Sequence, residues 1–250
     1  MFKNSMWRVG LLASLVSFTG AGAQNLQPID PLQRPRTGAS SASFSISAGY
    51  APDLRQTPEG LTSSLAGGLG ITATYNVTDR LAVTASTGLG AARTRTLNGE
   101  TVAAASNLSW SGLNVGAQYT FEGRYAPALG LDVNLPLAGD GWAVTGSTSA
   151  SLLRDPVILD GTLAATWRSE GAPAVSVGAG VGFVVNEAVT LRADAIQSLT
   201  FGILTVPSTT LGLGGAYKLD EQNSLQARTT LNITGGRTTT GLSVTYLYRP

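Results

Sequence analysis

The sequence predicts an all-β protein, a transmembrane antiparallel up-and-down β-barrel of about twelve strands that follows a cleaved signal peptide. Apolar and polar residues alternate with a period of two along most of the chain, as in strands with one face in an apolar environment and the other in water. Charged residues make up 12% of the sequence, whereas soluble domains carry about 25%. The polar residues are mostly Ser, Thr, Asn and Gln, which is typical of an enclosed face.

Residues 1–23 have the three parts of a secretory signal peptide. Lys3 and Arg8 come before the apolar run VGLLASLVSF, and Ala21-Gly22-Ala23 supplies the small residues of a cleavage site before Gln24. This run is too short to span a bilayer, so an uncleaved anchor is the weaker alternative. Because the chain has no cysteine, a lipoprotein is excluded. The sequence therefore predicts export across the inner membrane.

Residues 24–40 form a lead-in that reads QNLQPIDPLQRPRTGAS. Its three prolines and lack of periodicity predict an extended or disordered segment. Such a segment is either a plain linker or a plug that folds into a pore.

Residues 41–250 carry the alternating strands. In the stretch AVTLRADAIQSLT, Val189 and Leu191 share one face, while Thr190 and Arg192 share the other. The alternation is faint only around Val144–Leu152, and no sustained helical period occurs after the signal peptide. An open sheet in lipid would leave the backbone groups of its edges unpaired at several kcal/mol each, so the sheet is expected to close.

The joints between the strands fall into two alternating classes. One class includes the two longest joints, expected at Ala51–Gly60 and Arg93–Ala104. The other class is tight and comprises Asn76–Arg80, Glu122–Arg124, Arg154–Pro156, Asn186–Ala188 and Asp220–Asn223. In an antiparallel barrel all tight turns lie at one end.

Aromatic residues gather at the end with the tight turns. A ring at one height is typical of a membrane interface, whereas a soluble sandwich would bury these residues in its core. The ring is expected to consist of Tyr75, Phe121, Phe183, Tyr217 and Tyr248. Trp110 has the parity of the inner face, so either it lies above the membrane or a bulge near Gly112 shifts the phase of its strand. Trp142 and Trp167 are expected in the aromatic belt at the other end.

Few charged residues share the parity of the inner face, and all of them fall in the half nearer the tight turns. They are Asp132, Asp160, Arg192, Asp194, Lys218 and Arg228. Two interpretations remain open for this set. Either the residues form a ring of positive and negative charges that narrows the pore and gives it a weak preference among ions, or they pair across strands and hold the wall together.

Composition excludes several classes of function. The chain has neither histidine nor cysteine, so a Ser-His-Asp hydrolase, a cysteine nucleophile and a thiolate metal site are absent. No phosphate-binding loop occurs, and no cofactor or metal is predicted. Removing residues 1–23 deletes two of the 16 basic residues, which leaves 14 against 15 acidic ones. Nothing in this balance favours nucleic acid.

Several segments resemble the outer-membrane proteins of the MetA-pathway-of-phenol-degradation family, which are described as transporters. They are Tyr75–Gly90 (YNVTDRLAVTASTGLG), Leu113–Phe121 (LNVGAQYTF), Ser149–Trp167 (SASLLRDPVILDGTLAATW) and Val175–Asp194 (VSVGAGVGFVVNEAVTLRAD). The resemblance implies a channel-like barrel for small or hydrophobic compounds and carries no catalytic residues. Barrels of this kind commonly end on an aromatic residue that the assembly machinery reads, whereas this chain continues past Tyr248 to Arg249 and Pro250.

These observations predict a passive channel for small solutes in the outer membrane and not an enzyme. The alternative is a structural barrel that anchors the envelope and conducts nothing. A soluble adhesin and a barrel enzyme fit the sequence less well. The expected partners are outer-membrane lipid, small solutes and the barrel-assembly machinery, while the substrate and the oligomeric state are left open.

Overall fold

The computed structural model describes residues 41–57, 60–98, 101–136, 141–202, 204–235 and 237–250. The predicted signal peptide, residues 1–23, and the predicted lead-in, residues 24–40, lie outside these ranges. Within them, no helix has the length and hydropathy needed to cross a membrane.

The described residues form a closed barrel of twelve antiparallel strands, each paired with its neighbours in sequence and the first paired with the last. The strand count and the up-and-down order agree with the prediction. The strands are β1 Ser41–Thr57, β2 Gly60–Asn76, β3 Leu81–Asn98, β4 Thr101–Thr120, β5 Ala128–Leu135, β6 Ala143–Arg154, β7 Val157–Arg168, β8 Ala174–Val184, β9 Val189–Phe201, β10 Thr205–Lys218, β11 Asn223–Thr234 and β12 Arg237–Tyr248.

The apolar side chains lie on the outside of the barrel, as alternation predicted. Leu131, Val177 and Leu211 are 55%, 54% and 42% exposed, and no large side chain of the described residues is fully buried. A soluble sandwich would place these side chains in a dry interior between two sheets. The exposed apolar wall instead fits a barrel whose exterior faces lipid.

The two longest joints are shorter than the sequence indicated. Of the segments expected to be joints at Ala51–Gly60 and Arg93–Ala104, the described residues belong to paired strands, in which Thr57 lies opposite Gly60 and Asn98 opposite Thr101. Their sequence does not alternate clearly between apolar and polar residues, because a strand end that reaches beyond the hydrocarbon does not need an apolar face. Backbone pairing continues there without the pattern that reveals it in sequence.

The tight turns lie together at one end, and in three of them a side-chain oxygen of Thr78, Asn186 or Asp220 accepts hydrogen bonds from the backbone of the turn. The Asn186 Oδ1 accepts hydrogen bonds from the backbone N–H of Ala188 and of Val189, at 2.9 and 2.8 Å. The turn between β4 and β5 is longer than predicted and runs over residues 121–127. The predicted aromatic ring is present at this end, with exposures of 37% to 51% for Tyr75, Phe121, Phe183, Tyr217 and Tyr248.

A β-bulge in the β3–β4 pair settles the position of Trp110. The register shifts between Thr87 and Leu89. Gly112 has a φ of 77°, a backbone conformation that residues with a side chain rarely adopt. The shift turns Trp110 to the outside, where it is 60% exposed. Its indole N–H donates a hydrogen bond to the Thr87 hydroxyl at 2.6 Å. Of the two alternatives for this residue, the bulge near Gly112 is the one observed.

Candidate functional site: the lumen and its charged wall

The lumen is lined by small polar side chains and opens into a cavity at the end with the tight turns. The cavity has a volume of about 850 Å³. Its lining consists mainly of hydroxyl, amide and small side chains, among them Ser43, Ser47, Thr72, Thr74, Asn114 and Gln118. Such a surface holds water and offers hydrogen-bond donors and acceptors to a polar solute.

Four of the six predicted lumen charges form one connected chain of ion pairs, which we call the charge ladder. It consists of Asp160 on β7, Arg192 and Asp194 on β9, and Arg228 on β11. The Arg192 Nη2 lies 2.8 Å from the Asp160 Oδ1, and its Nε lies 3.8 Å from the Asp194 Oδ1. The Arg228 Nη2 lies 2.5 Å from the Asp194 Oδ2. The charges therefore alternate in sign along the wall.

Each strongly bonded pair of the ladder reaches across an intervening strand at a glycine. On β8, a Cβ at Gly180 would lie 2.6 Å from the Arg192 Nη2 and 2.7 Å from the Asp160 Oδ1. On β10, a Cβ at Gly212 would lie 2.6 Å from the Arg228 Nη2 and 2.7 Å from the Asp194 Oδ1. Because these two glycines have no side chain, an ion pair can form over each of them between the two strands on either side.

The acids and bases of the ladder differ in their exposure to the lumen. The Asp160 and Asp194 side chains are only 4% and 9% exposed, whereas those of Arg192 and Arg228 are 23% and 31% exposed. The carboxylates are thus covered, and the arginine side chains are the more exposed part of the ladder, although the Arg228 Nε itself is buried.

The other two predicted charges lie apart from the ladder. Asp132 on β5 is 7% exposed, and its carboxylate lies against Gly116 of β4. A Cβ added at Gly116 would clash with this carboxylate and would lie 2.8 Å from the Thr84 hydroxyl. Lys218 lies at the end of β10 and lines the cavity at the mouth. The structure therefore groups Asp160, Arg192, Asp194 and Arg228 in the ladder, and places Asp132 and Lys218 in the lining of the cavity at the mouth.

Polar turns at the mouth add charged groups outside the membrane-spanning strands. Arg80 forms an ion pair with Glu122. A hydrogen bond to the Tyr119 hydroxyl and the charge of Glu122 raise the pKa of Arg80 above its ordinary value. The hydrogen bond from the Asn223 side chain lowers the pKa of Asp220, and the backbone N–H groups of Gln222 and Asn223 act in the same direction.

Sequence reasoning did not single out Gly116, Gly180 and Gly212. A signal was present, since glycine recurs at inward positions in VSVGAGVGF and in LGLGGAY, opposite charged residues of the neighbouring strands. Across the described ranges, no group of Asp and Glu residues is arranged to hold a metal ion.

Three comparisons relate this chain to known proteins. No family model matches the chain, and no curated protein matches it. Solved structures do resemble it. An outer-membrane channel of the COG4313 group from Pseudomonas putida F1 has a TM-score of 0.65 and 14% identity over 89% of this chain and 100% of the other.

Two further structures have a similar barrel. The translocator domain of the autotransporter NalP from Neisseria meningitidis has a TM-score of 0.58 and 11% identity, over 95% of this chain and 98% of its own. The NanC porin has a TM-score of 0.57 and 7% identity, over 82% and 98%. A channel, a porin and a translocator share this architecture, so the likeness shows the fold alone. The described chain has the fold of outer-membrane β-barrels.

Proposed function

We propose that this protein is a passive channel of the outer membrane that lets small solutes diffuse through its lumen. The closed wall with its apolar exterior and polar interior supports this function. It provides a path for water through a layer that otherwise excludes it. The COG4313 channel and the NanC porin, both similar in fold, support the same proposal.

The observation that carries the proposal is the open, water-compatible cavity of about 850 Å³ at the mouth. A barrel of twelve strands is intermediate in width. Barrels of about 8 strands are filled by side chains, and those of about 16–18 strands enclose an aqueous channel. Small inward residues such as Ser47, Gly70 and Thr72 leave room that larger side chains would fill.

The chemistry of the lining indicates the class of solute. Hydroxyl and amide groups replace the hydrogen bonds that a water-soluble molecule loses on entry, so small polar solutes pass at low cost. The resemblance to the MetA-pathway-of-phenol-degradation family points instead to hydrophobic compounds. The polar cavity favours the first class, and we propose the second only as a minor cargo.

The charge ladder gives one part of the lumen wall a preference for ions of one sign. Its arginine side chains are more exposed than its carboxylates, which are covered. We propose that Arg192 and Arg228 attract anions at this wall, and that the pairing with Asp160 and Asp194 also holds the wall together. Both interpretations of the inward charges then apply to the same residues, while Asp132 and Lys218 contribute to the lining separately.

Delivery to the membrane follows from the N-terminal sequence. We propose that residues 1–23 direct export, that the mature chain begins at Gln24, and that the barrel-assembly machinery inserts the folded sheet into outer-membrane lipid.

Conductance of the refolded mature protein in a planar bilayer tests the channel. We expect discrete openings in a KCl gradient, and Arg192→Gln/Arg228→Gln should move the reversal potential towards cation preference. The matched control is Arg124→Gln/Arg154→Gln, which removes two exposed arginines from the turns and should change the potential less. A correctly folded barrel that conducts no ions would support the structural, non-conducting alternative.

A further inference from the structure

The barrel has a seam at which its first and last strands separate. The pairing of β1 with β12 runs from Phe44↔Tyr248 to Tyr50↔Leu242. Beyond that point β1 continues to Thr57 in partnership with β2, and β12 begins at Arg237 in partnership with β11. A groove of about 660 Å³ lies at this seam, lined by residues of β1, β2, β3 and β12.

Two arginines line the groove from the outer surface of the barrel. On β3 the outward row consists of Leu81, Val83, Ala85, Thr87, Leu89 and Ala91, and it continues directly into Arg93 and Arg95. Both arginine side chains are exposed. Arg93 lies opposite Leu65 on β2 and Arg95 lies opposite Ser63. Neither arginine forms an ion pair with any residue that the structure describes.

The groove lies at the height of the lipid headgroups on the side away from the tight turns. Thr238 in the groove is ten residues from Tyr248 in the aromatic ring. A rise of about 3.3 Å per residue and a strand tilt of about 40° place Thr238 about 25 Å above that ring. The apolar band of such barrels is also about 25 Å tall. The two arginines therefore lie where the outer leaflet carries its polar groups.

The remaining lining combines apolar and polar groups in a way that suits an amphiphile. Pro52 and Leu65 offer an apolar surface in the same row of paired residues as Arg93, and Tyr50 extends it towards the membrane centre. Thr238 and Thr240 offer hydroxyls on the far side of the seam. Asp53 also lines the groove and engages another group of the protein. The described lining therefore contains two guanidinium groups and one carboxylate, so its net charge is positive.

We propose that this groove binds the phosphorylated headgroup of a lipid of the outer leaflet. Guanidinium groups bind phosphate oxygens through paired, charge-assisted hydrogen bonds. The threonine hydroxyls supply further donors, and the lipid chains continue down the apolar wall past Tyr50 and Leu65. Arginines that face outwards at the edge of the hydrocarbon thereby gain a partner of opposite charge. The site is separate from the lumen and does not depend on conduction.

Binding of diphosphoryl lipid A to the mature protein in neutral detergent tests the proposal. Arg93→Ser/Arg95→Ser is expected to weaken binding by at least about tenfold, because two charge-assisted contacts are lost. The matched control is Arg124→Ser/Arg154→Ser, which removes two exposed arginines from the opposite end and should bind lipid A as the parent does. The heat-dependent shift of the folded barrel in electrophoresis shows that each variant is folded.

Three outcomes would overturn the site. Unchanged lipid A binding by the folded Arg93→Ser/Arg95→Ser variant shows that the groove is not used. An equal loss in the control variant shows that binding depends only on total charge. Displacement of lipid A by the same concentration of inorganic phosphate shows an anion site without lipid specificity. Conductance is not measured in this experiment, so failure of the channel proposal would leave its result unaffected.

Discussion

The Arg192 Nη2 donates a hydrogen bond to the Asp160 Oδ1 at 2.8 Å, although the two residues lie on β9 and β7 with β8 between them. The contact is possible because Gly180 of β8 has no side chain to fill the space beneath it. One ion pair thus links β7 to β9 across β8. Because the Asp160 side chain is only 4% exposed, its charge is shielded from water and depends on this partner.

Removing the base of this pair should destabilise the barrel. Arg192→Gln leaves the Asp160 carboxylate covered and without its cation, so we expect the free energy of unfolding to fall by about 1–3 kcal/mol. Urea unfolding in lipid vesicles, followed by tryptophan fluorescence, measures the change. Restoring neutrality with Asp160→Asn/Arg192→Gln should recover part of the loss. A loss in the double variant equal to the sum of the two single losses would mean that the residues do not interact. Glu187→Gln, in an exposed turn, is the control.

Filling the glycine gap should break the same pair. In Gly180→Ala the new methyl group would lie 2.6 Å from the Arg192 Nη2 and 2.7 Å from the Asp160 Oδ1, so these side-chain ends must shift from their paired positions. We expect a loss of about 1–2 kcal/mol in the parent, and a smaller loss in Asp160→Asn/Arg192→Gln, where no ion pair remains to be broken.

The control for this substitution is Gly146→Ala. An added Cβ there meets nothing within 4 Å, and alanine in a strand is more favourable than glycine by about 0.5–1 kcal/mol. We therefore expect no destabilisation at position 146. Equal losses at Gly180 and Gly146 would contradict the steric explanation.

The turn between β10 and β11 should give the stability of the barrel a dependence on pH. The pKa of Asp220 is lowered in the folded protein, first by the Asn223 side chain and then by the backbone N–H of Gln222. The ionised carboxylate therefore contributes stability above the pKa of the unfolded chain, and this contribution is lost as the pH falls through the folded value. Asp220→Ala should be less stable than the parent at neutral pH, and the difference should shrink on acidification.

Unfolding at a series of pH values checks this prediction. Glu187→Ala, which removes an exposed carboxylate from the turn between β8 and β9, serves as the control for the loss of one acidic side chain from a turn. A gap between Asp220→Ala and the parent that grows as the pH falls would show that the ionised form is not the stabilising one.

The alternation of residues allowed most of the fold to be predicted from sequence. Leu191 and Arg192 face opposite sides because successive side chains of a strand point in opposite directions. The strand count and the aromatic ring follow from the same local rule. The rule failed at the ends of β1 to β4 away from the tight turns, because a strand that has left the hydrocarbon no longer needs one apolar face. It was ambiguous at Trp110 because one bulged residue reverses the phase of everything beyond it.

The sequence alone thus decided which side chains face lipid and which face the lumen, since that follows from strand geometry and the need to close a sheet in hydrocarbon. Tertiary structure decided how the inward charges are grouped. Asp160 meets Arg192 and Asp194 meets Arg228 because the stagger of neighbouring strands sets the height of each side chain, and because glycines leave space between strands. The seam beside Tyr50 likewise depends on where the first and last strands stop pairing, and that position depends on the closed barrel as a whole.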